Sequence, residues 1–404
     1  MQSPNSAFLL WRSLRFHARS HVGTLLGVAV AGAVLVGALA VGDSVRESLR
    51  QMGLNRLGRT EFALASRDRF FRSALANDFS NAAAGLQLPG IAASPDGAAR
   101  ANHVQVLGVD DGFWAMAKTP PSFPQSDSDA VILNAPLARQ LHANIGDTIL
   151  LRVQKPSLLS SEAPISPRED VSTGFRLTVR AIVSENELGR FSLQANQTAP
   201  LNAFVPLKFL QANLDLTNKA NLLLIGSTNG NPADMLRSHW TAADAELQLR
   251  DLPDGVELRS SRVFIDPPII QSLEHNTTDA EFISTYFVNE LRSGEKTTPY
   301  SMITAADTPL VPADMHDDEI LLTPWLAEDL QAAPGSDVRL TYFVLGANHR
   351  LEEKQDSFKV RGILPAEGPT ADRTLMPDFP GLAKAEKTEN WDAGFPIDLK
   401  KIRP

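Results

Sequence analysis

The chain has 404 residues, of which 43% are hydrophobic and 21% charged, and its formal net charge is −9 at pH 7. This length allows about two or three domains with sizeable cores, and the apolar content excludes a disordered chain. The acidic balance argues against a nucleic-acid surface, and the absence of cysteine excludes disulfides, thiol catalysis and thiolate metal sites.

The N-terminal residues 3–20 predict a short amphipathic helix on the inner face of a membrane. Arg12, Arg15 and Arg19 fall in this segment, and no acidic residue precedes Asp43. Arginines at this place favour the cytoplasmic side and contact anionic headgroups. A plain positive-inside anchor explains them equally well.

The segment 22–42 contains no charged residue. At about 1.5 Å per residue it extends for about 30 Å, the thickness of a bilayer core. Gly23, Gly27 and Ala31 recur at every fourth position, and Ala33 and Gly37 continue a second series at the same spacing. Small residues at this interval allow close helix approach in lipid, so we predict a transmembrane helix that packs against other membrane helices.

Two alternatives to a retained membrane helix are a cleavable signal peptide and a buried helix of a soluble protein. The small-x-small sequence at 38–40 fits a cleavage site. However, the basic region before the apolar run is long, and the charged segment 43–58 continues the helical pattern to a stop at Gly58. An uncharged run of this length is also unusual in a soluble core. We therefore favour a retained span.

The next part of the chain mixes patterns typical of strands, helices and loops. We predict a strand at 61–64, a helix at 67–79, a loop at 81–100, a strand at 103–110 and an exposed loop at 120–129.

From Ala130 a pattern appears that recurs from Glu319. The first copy predicts a strand at 131–133, a helix from Pro136 to about residue 144, a turn at Gly146, strands at 148–153 and 175–183, and a strand and helix within 202–214. In the second copy Pro324 stands opposite Pro136, Gly335 opposite Gly146, Val338 opposite Ile149, and 358–364 opposite 175–183. The same order and turn residue in both copies indicate an internal repeat.

Between the copies the pattern alternates between strands and helices. We predict a buried strand at 220–227, a helix at 232–249, a strand at 256–265, a helix at 269–282 and two strands within 284–307 around a turn at 292–295.

The predicted fold class is α+β, with one N-terminal transmembrane helix followed by a large extracytoplasmic mixed α/β region that contains two similar subdomains. The expected segments are a cytoplasmic amphipathic basic helix at 1–21, the transmembrane helix at 22–42, the first part of a periplasmic core at 43–129, repeat 1 at 130–225, an intervening α/β segment at 226–317, and repeat 2 with the tail at 318–404.

Motifs for catalysis or cofactor binding are weak in this sequence. The run 293–297 only superficially suggests a phosphate-binding loop, and a turn between strands fits it better. Asp314, His316, Asp317 and Asp318 could hold a divalent cation, although a solvated loop is favoured. We predict no catalytic, cofactor-binding or metal-binding residue, and the span has no ionisable group for an ion site.

Several stretches together resemble the FtsX-like, MacB-type permease subunits of ABC transporters. They are a basic N-terminal helix, a Gly/Ala-rich span running into GDSVRESLR at 42–50, and the duplicated element. STYFVN at 284–289, PYSMITAAD at 299–307 and FPIDLKKI at 395–402 resemble a subgroup with an enlarged extracytoplasmic region. Such permeases continue into three further membrane helices that this sequence lacks. The resemblance therefore implies the N-terminal part of a permease, from truncation, a split gene or an incomplete reading frame.

The resemblance also implies partners and a location. A separate cytoplasmic ATPase subunit would hydrolyse ATP, and the chain itself would bind no cofactor. A second permease subunit, identical or different, and membrane lipid would be partners, and nucleic acid would not. The chain would lie in the bacterial inner membrane with its N-terminus cytoplasmic and its main domain periplasmic. Motion along the first helix would drive release or extrusion of lipoproteins, peptides or small toxic compounds.

Three other functions compete with this interpretation. A membrane-anchored periplasmic binding or scaffold domain without a transport role is the alternative, a secreted protein cleaved at Ala40 is another, and an enzyme is the least favoured.

Overall fold

A computed structural model describes the chain with several gaps. The described residues are 6–121, 129–156, 172–194, 198–228, 230–252, 255–260, 262, 264–277, 280–306, 311–345, 351–365, 367, 375 and 401. The FPIDLKKI stretch lies outside them except for Lys401, as does most of the predicted loop at 120–129.

The described residues form eight α-helices and seventeen strands. The helices are α1 Ser6–Phe16, α2 Ala18–Leu57, α3 Asp111–Ala115, α4 Ala135–Leu141, α5 Leu207–Asn213, α6 Pro232–His239, α7 Pro267–Asn276 and α8 Pro324–Leu330. The strands are β1 Phe62–Ala65, β2 Phe71–Arg72, β3 Ala82–Ala93, β4 Arg100–Val109, β5 Ala130–Asn134, β6 Thr148–Gln154, β7 Ser172–Val183, β8 Asn202–Pro206, β9 Lys219–Ala220, β10 Leu222–Ile225, β11 Leu247–Leu252, β12 Gly255–Ser260, β13 Ile283–Ser293, β14 Lys296–Ala306, β15 Glu319–Leu322, β16 Asp337–Leu345 and β17 Leu351–Ile363.

The long helix α2 runs for 40 residues without a break. The predicted helix at 3–20 is divided at His17, where α1 has ended and α2 has not begun. At the other end Gly58 adopts φ +62° and caps the helix, which confirms the predicted stop.

Six strands close into a barrel, because β3 pairs with β4 on one side and with β6 on the other. The order around the barrel is β3, β4, β8, β5, β7 and β6, while β10 and β1 extend the sheet beside the start of β3. One apolar core draws on all six strands and on α4 and α5. Strands from the predicted segments 43–129 and 130–225 therefore share one sheet; the domain boundaries themselves stay predictions.

The predicted loop at 81–100 is wrong, because most of it is the strand β3. Its alanines and glycines allow close neighbours on both sides. A Cβ at Gly90 would lie 2.7 Å from Cγ2 of Val106 and 2.8 Å from the carbonyl oxygen of Arg152. Small residues that look like loop composition are thus required where strands from distant parts of the chain approach.

Two predicted helices are also wrong. The segment 67–79 forms β2 and a 3₁₀ helix at Ser73–Asp78. The segment 232–249 contains α6, a 3₁₀ helix at Ala242–Ala245 and the start of β11. In the second case a capping box between Thr241 and Asp244 starts a new turn, and Glu246 at φ +58° ends it.

Two predicted helices begin or end at different residues. α4 stops at Leu141, because His142 is left-handed at φ +52°, and α7 spans Pro267–Asn276 rather than 269–282.

A second sheet has five strands in the order β14, β13, β16, β17 and β15. The hairpin of β13 and β14 matches the two strands predicted within 284–307, and Gly294 forms its turn at φ +57°. Leu291, Leu322, Leu330, Val338 and Val360 are buried in its core.

The element β5–α4–β6–β7 is repeated as β15–α8–β16–β17. In each copy the first strand is parallel to the last, and the register shifts after the second residue of the first strand. The N–H of Gly146 donates to the carbonyl of Val179 at 2.8 Å, and that of Gly335 to Val360 at 2.7 Å. One detail of the predicted alignment is wrong: Pro324 is the first residue of α8, whereas Pro136 is the second of α4.

Candidate functional site

The helix α2 is the described helix that is long and apolar enough to cross a membrane, judged by length and composition. None of its residues is buried in the chain. A helix with an apolar surface and no cover within its own chain requires lipid or other helices around it.

The five predicted packing residues lie on one half of α2. At about 100° per residue they fall within about 160° of the helix circumference. No described atom outside the helix backbone comes within 4 Å of a Cβ built at Gly23, Gly27 or Gly37, and Ala31 and Ala33 are exposed. The structure therefore brings these residues onto one face and leaves that face uncovered by the described chain. Their role in packing stays a prediction.

The three predicted anchoring arginines are exposed and lie on both sides of the break at His17. The guanidinium of Arg12 lies 5.7 Å from the ring centre of Phe8, and that of Arg15 lies 5.6 Å from Trp11. Cations beside aromatic rings suit a membrane interface. Arg19 is the second residue of α2.

The C-terminal end of α2 meets the barrel at a tight junction, which consists of residues 57–61. A Cβ at Gly58 would lie 2.3 Å from the carbonyl oxygen of Met116 and 2.9 Å from Cδ2 of Leu188. Since φ is also +62° there, this junction requires glycine.

Backbone hydrogen bonds fix the junction on both sides. The N–H of Arg59 donates to the carbonyl of Met116 at 2.8 Å, and that of Glu61 donates to Ile225 in β10 at 2.9 Å. Leu57 packs against a buried cluster that includes Phe113 and Leu188. The last turn of α2 is therefore fastened to the described chain around Met116 and to β10.

An ion-pair clasp joins the intervening segment to β2 and the residues just before it. It consists of Asp68, Arg69, Arg72, Asp244, Glu246, Arg262 and Asp266. Nε of Arg72 donates to Oδ1 of Asp244 at 2.9 Å, and Nη2 of Arg72 to Oδ2 at 2.8 Å. Burial alone would raise the pKa of Asp244, but the hydrogen bonds from Arg72 and Thr241 outweigh it and lower the pKa. Arg69 binds Asp266 in the same bidentate way.

Buried Glu246 and Arg262 complete the clasp. Nη1 of Arg262 lies 3.5 Å from Oε2 of Glu246 and donates to the carbonyl of Asp68 at 2.7 Å. Burial raises the pKa of Glu246, and Arg262 and Lys219 only partly offset this. A cavity of about 150 Å³ lies beside these groups. Because arginines already bind its carboxylates, the arrangement fastens two segments rather than offering charge to a substrate.

The sequence features considered for chemistry have structural roles in the described chain. Residues 293–297 form the hairpin turn between β13 and β14. Arg361 binds Asp314 at 2.8 Å and Glu319 at 2.9 Å, so a cation is already supplied to that acidic group. Among the described residues no group of three or more metal-ligating side chains occurs.

Sequence reasoning identified Gly58 only as a helix stop and missed its contacts at the junction. Met116 and Leu188 are apolar residues outside any periodic pattern, so no local signal identified them. The clasp was missed because Arg72 and Asp244 are 172 residues apart.

Comparison with known proteins identifies the domain family that this architecture matches. The profile of the MacB-like periplasmic core domain matches residues 22–237, more than half of the chain. No curated protein matches.

Two solved structures are similar to parts of the chain. The extracellular domain of the noncanonic ABC-type transporter YknZ from Gram-positive bacteria is 12% identical, with a TM-score of 0.27, over 46% of this chain and 91% of that one. The periplasmic region of MacB from Actinobacillus actinomycetemcomitans is also 12% identical, with a TM-score of 0.30, over 55% of this chain and 96% of that one.

The profile match includes most of α2, the junction and the whole of the six-stranded barrel. A chain in which an apolar helix precedes an extracytoplasmic domain is a membrane-anchored protein. The chain belongs to the MacB-like periplasmic core domain family of ABC transporter permease-type proteins.

Proposed function

We propose that this chain is a non-enzymatic permease component that passes movement from the membrane to its extracytoplasmic barrel. The work done outside the membrane would be export or release of lipoproteins, peptides or small toxic compounds. The observation that carries the proposal is the unbroken helix α2, which joins a membrane-length apolar segment to the tight junction at Gly58.

The physical argument rests on stiffness at each step. A helix transmits axial displacement and tilt when no proline or glycine kink interrupts its hydrogen bonds. At the junction two backbone hydrogen bonds and the packing of Leu57 leave no flexible linker between helix and barrel.

The proposal includes the partners and the orientation. A second permease subunit, identical or different, would pack on the small-residue face of α2. A separate cytoplasmic subunit would bind and hydrolyse ATP, so this chain would need no cofactor and no nucleic acid. The N-terminus would be cytoplasmic in a bacterial inner membrane, with Arg12, Arg15 and Arg19 at the lipid headgroups.

The junction is tested by substituting its glycine. Gly58→Val forces a side chain against Met116 and Leu188, whereas Gly53→Ala adds a methyl group in open space earlier in the same helix. The tagged chain is purified from its own membranes, and the ATP hydrolysis of the co-purifying subunit is measured. We expect Gly58→Val to change this rate at least about threefold and Gly53→Ala to leave it unchanged. If no ATP-hydrolysing subunit co-purifies, the result contradicts the permease role and favours the alternative function, a membrane-anchored binding or scaffold domain.

The packing face is tested by filling it. We expect Gly23→Leu with Gly27→Leu to dissociate the membrane complex, because side chains then separate the helices. Gly32→Leu adds the same side chain at one position on the opposite side of α2, where an added Cβ also meets nothing within 4 Å, and serves as the control. Native mass spectrometry in detergent reads the subunit composition. An intact complex in the first variant contradicts the packing role.

Orientation is tested with single cysteines, because the chain has none of its own. Ser13→Cys lies in α1, and Ala98→Cys is exposed in the turn between β3 and β4. A membrane-impermeant maleimide should label only Ala98→Cys in spheroplasts and both variants after lysis. The reverse pattern rules out the proposed orientation.

A further inference from the structure

The outer face of β6 and β7 in the barrel carries three arginines. Arg152 lies in β6, and Arg176 and Arg180 lie in β7. All three are exposed, whereas residues that alternate with them, such as Leu151 and Val179, belong to the barrel core. In the part of the chain that the structure describes, none of the three guanidinium groups has an ion pair or a hydrogen bond. These three residues form the arginine face of the barrel.

The arginines lie close enough together for their charges to interact. β6 and β7 pair so that Arg152 lies opposite Gly174, two residues before Arg176. Arg152 and Arg176 are therefore diagonal neighbours at about 7–8 Å, and Arg180 lies about 13 Å from Arg176 along β7. The space beside Gly174 is open, because an added Cβ there meets nothing within 4 Å. Like charges at this spacing repel each other, and an anion between them relieves the repulsion.

The second sheet shows what the same element does with one of these arginines. Arg361 corresponds to Arg180, because each follows the valine that accepts from the turn glycine, and in each copy the pairing with the first strand skips this arginine. Arg361 binds the carboxylates of Asp314 at 2.8 Å and Glu319 at 2.9 Å. In the barrel Ala130 takes the place of Glu319. Two carboxylates thus bind the arginine of the second sheet, whereas no described carboxylate binds Arg180.

The other two arginines are a property of the barrel copy alone. Thr341 in the second sheet stands in the place of Arg152, and Ser357 in the place of Arg176. Because the second copy forms the same strands with these uncharged side chains, the local fold does not need the two charges.

The place of the arginine face in the fold favours a protein over lipid headgroups as the source of an anion. Arg152 pairs with Ile91 near the end of β3, whereas Ala82 at the start of β3 pairs with Ile225 beside the junction. From Ala82 to Ile91 the strand extends for about 30 Å. Residues 43–57 of α2 add about 22 Å between the junction and the apolar run. Both distances exceed the screening length of about 8–10 Å in physiological salt.

We propose that the arginine face docks an acidic segment of a partner protein, whose carboxylates bind the three guanidinium groups as Asp314 and Glu319 bind Arg361. The segment would also carry an apolar side chain, because Leu150, 37% exposed, lies among the arginines. A guanidinium binds a carboxylate with two parallel hydrogen bonds, so the contact would be specific as well as attractive. This inference does not depend on a transport role.

A zero-length cross-link tests both the contact and its chemistry. Arg176→Lys keeps the charge and supplies an amine, which a water-soluble carbodiimide joins to a carboxylate in contact with it. The reaction is run on intact cells that contain the full chain, and mass spectrometry identifies the peptide joined at position 176. We expect an Asp or Glu of a different protein there. Ser357→Lys, at the corresponding place in the second sheet, is the control and should give no cross-link to that protein.

Three other products would each overturn the proposal. A cross-link from position 176 to an Asp or Glu of this chain, in the same copy or in a second one, would show that the chain covers its own arginines. A cross-link to a lipid carboxylate would assign the face to the membrane. The absence of any cross-link at position 176 would show that no carboxylate docks there.

A charge reversal at the neighbouring arginine tests whether the face acts as a unit. Arg152→Glu combined with Arg176→Lys should lower the yield of the cross-link at least about fivefold, because the new carboxylate repels the acidic segment. Arg339→Glu combined with Arg176→Lys makes the same charge change at an exposed position of the second sheet and should leave the yield unchanged. Equal yields in the two double variants would overturn the proposal.

Discussion

The closed barrel and the second sheet are built from the same local element but differ in what surrounds it. In both, a strand, a capped helix, a left-handed residue, a glycine turn and two strands follow in order. In the barrel the side chain of Asn134 caps α4 by accepting from the N–H of Leu137 at 3.1 Å. In the second sheet Oγ1 of Thr323 caps α8 by accepting from the N–H of Leu326 at 3.4 Å. The local structure is therefore the same in both.

The difference lies in partners that come from elsewhere in the chain. Asn134 also binds the connection between β7 and β8, with its Nδ2 donating to the carbonyls of Gly189 at 2.8 Å and Pro200 at 2.7 Å. Thr323 is exposed and has no such described contacts. Local signals thus set the element, and closure of the barrel requires a strand that the element does not contain.

The largest expected effect comes from truncating the apolar residue after each cap. Leu137→Ala should cost about 3–4 kcal/mol, because it leaves a cavity in a fully buried site, and Leu326→Ala about 1–2 kcal/mol at a half-buried one. Hydrogen exchange of β5–β7 and β15–β17 amides in each variant measures the free energy of opening. Equal costs would show that the second sheet is as well covered as the barrel.

The cap residues should show the next largest difference. Asn134→Ala removes a buried amide and takes the partner from the N–H of Asn202 and the carbonyl of Pro200, while the carbonyl of Gly189 keeps the Nδ2 donor of Asn202, at a cost of about 2–3 kcal/mol. Thr323→Ala removes one exposed cap hydrogen bond, at a cost of about 0.5–1 kcal/mol. Urea unfolding of both variants, followed by the same exchange probes, measures the two values. A Thr323→Ala cost as large as that of Asn134→Ala would contradict the contrast.

The glycine turns should behave alike. Gly146 and Gly335 have φ of +96° and +91°, and an added Cβ would meet open space at both. Gly146→Ala and Gly335→Ala should therefore each cost about 1–2 kcal/mol from backbone strain alone. Thermal unfolding with exchange probes in each region checks this. A difference above about 1 kcal/mol would mean that the turns are not equivalent.

The smallest effect is a pH response at the start of β15. The N–H of His316 and the guanidinium of Arg361 lower the pKa of Glu319 at the start of β15, and Ala130 occupies this place in the barrel. Since the folded-state pKa is depressed, the stabilisation is present above the ordinary value of 4.5 and is lost as pH falls through the lowered value. Amides of β15–β17, corrected for intrinsic exchange, should open more readily below that pH, and Glu319→Gln should reduce the response. Asp314 should retain a smaller part of it, because Arg361 lowers the pKa of that carboxyl too. An undiminished response in Glu319→Gln would assign it to another group.

The sequence by itself determined the features that depend on neighbouring residues. The apolar run and the stop at Gly58 set the span and end of α2. The spacing of apolar residues, caps and glycines set the repeated element and the hairpin of β13 and β14. Each of these follows from helix or strand periodicity and from a turn that needs a positive φ.

Only the tertiary structure decided the features that join distant parts of the chain. β3 is a strand because β4 and β6 approach it closely. Its small residues allow this approach, but the same composition is also typical of loops. The junction at Gly58 depends on Met116 and Leu188, and the clasp on Asp244 meeting Arg72. In the barrel β8 lies between β4 and β5, whereas no described strand pairs with the outer side of β14 or β15, although the repeated element is the same. Which strands pair at a sheet edge depends on residues that are distant in the sequence, so local composition does not predict the partner.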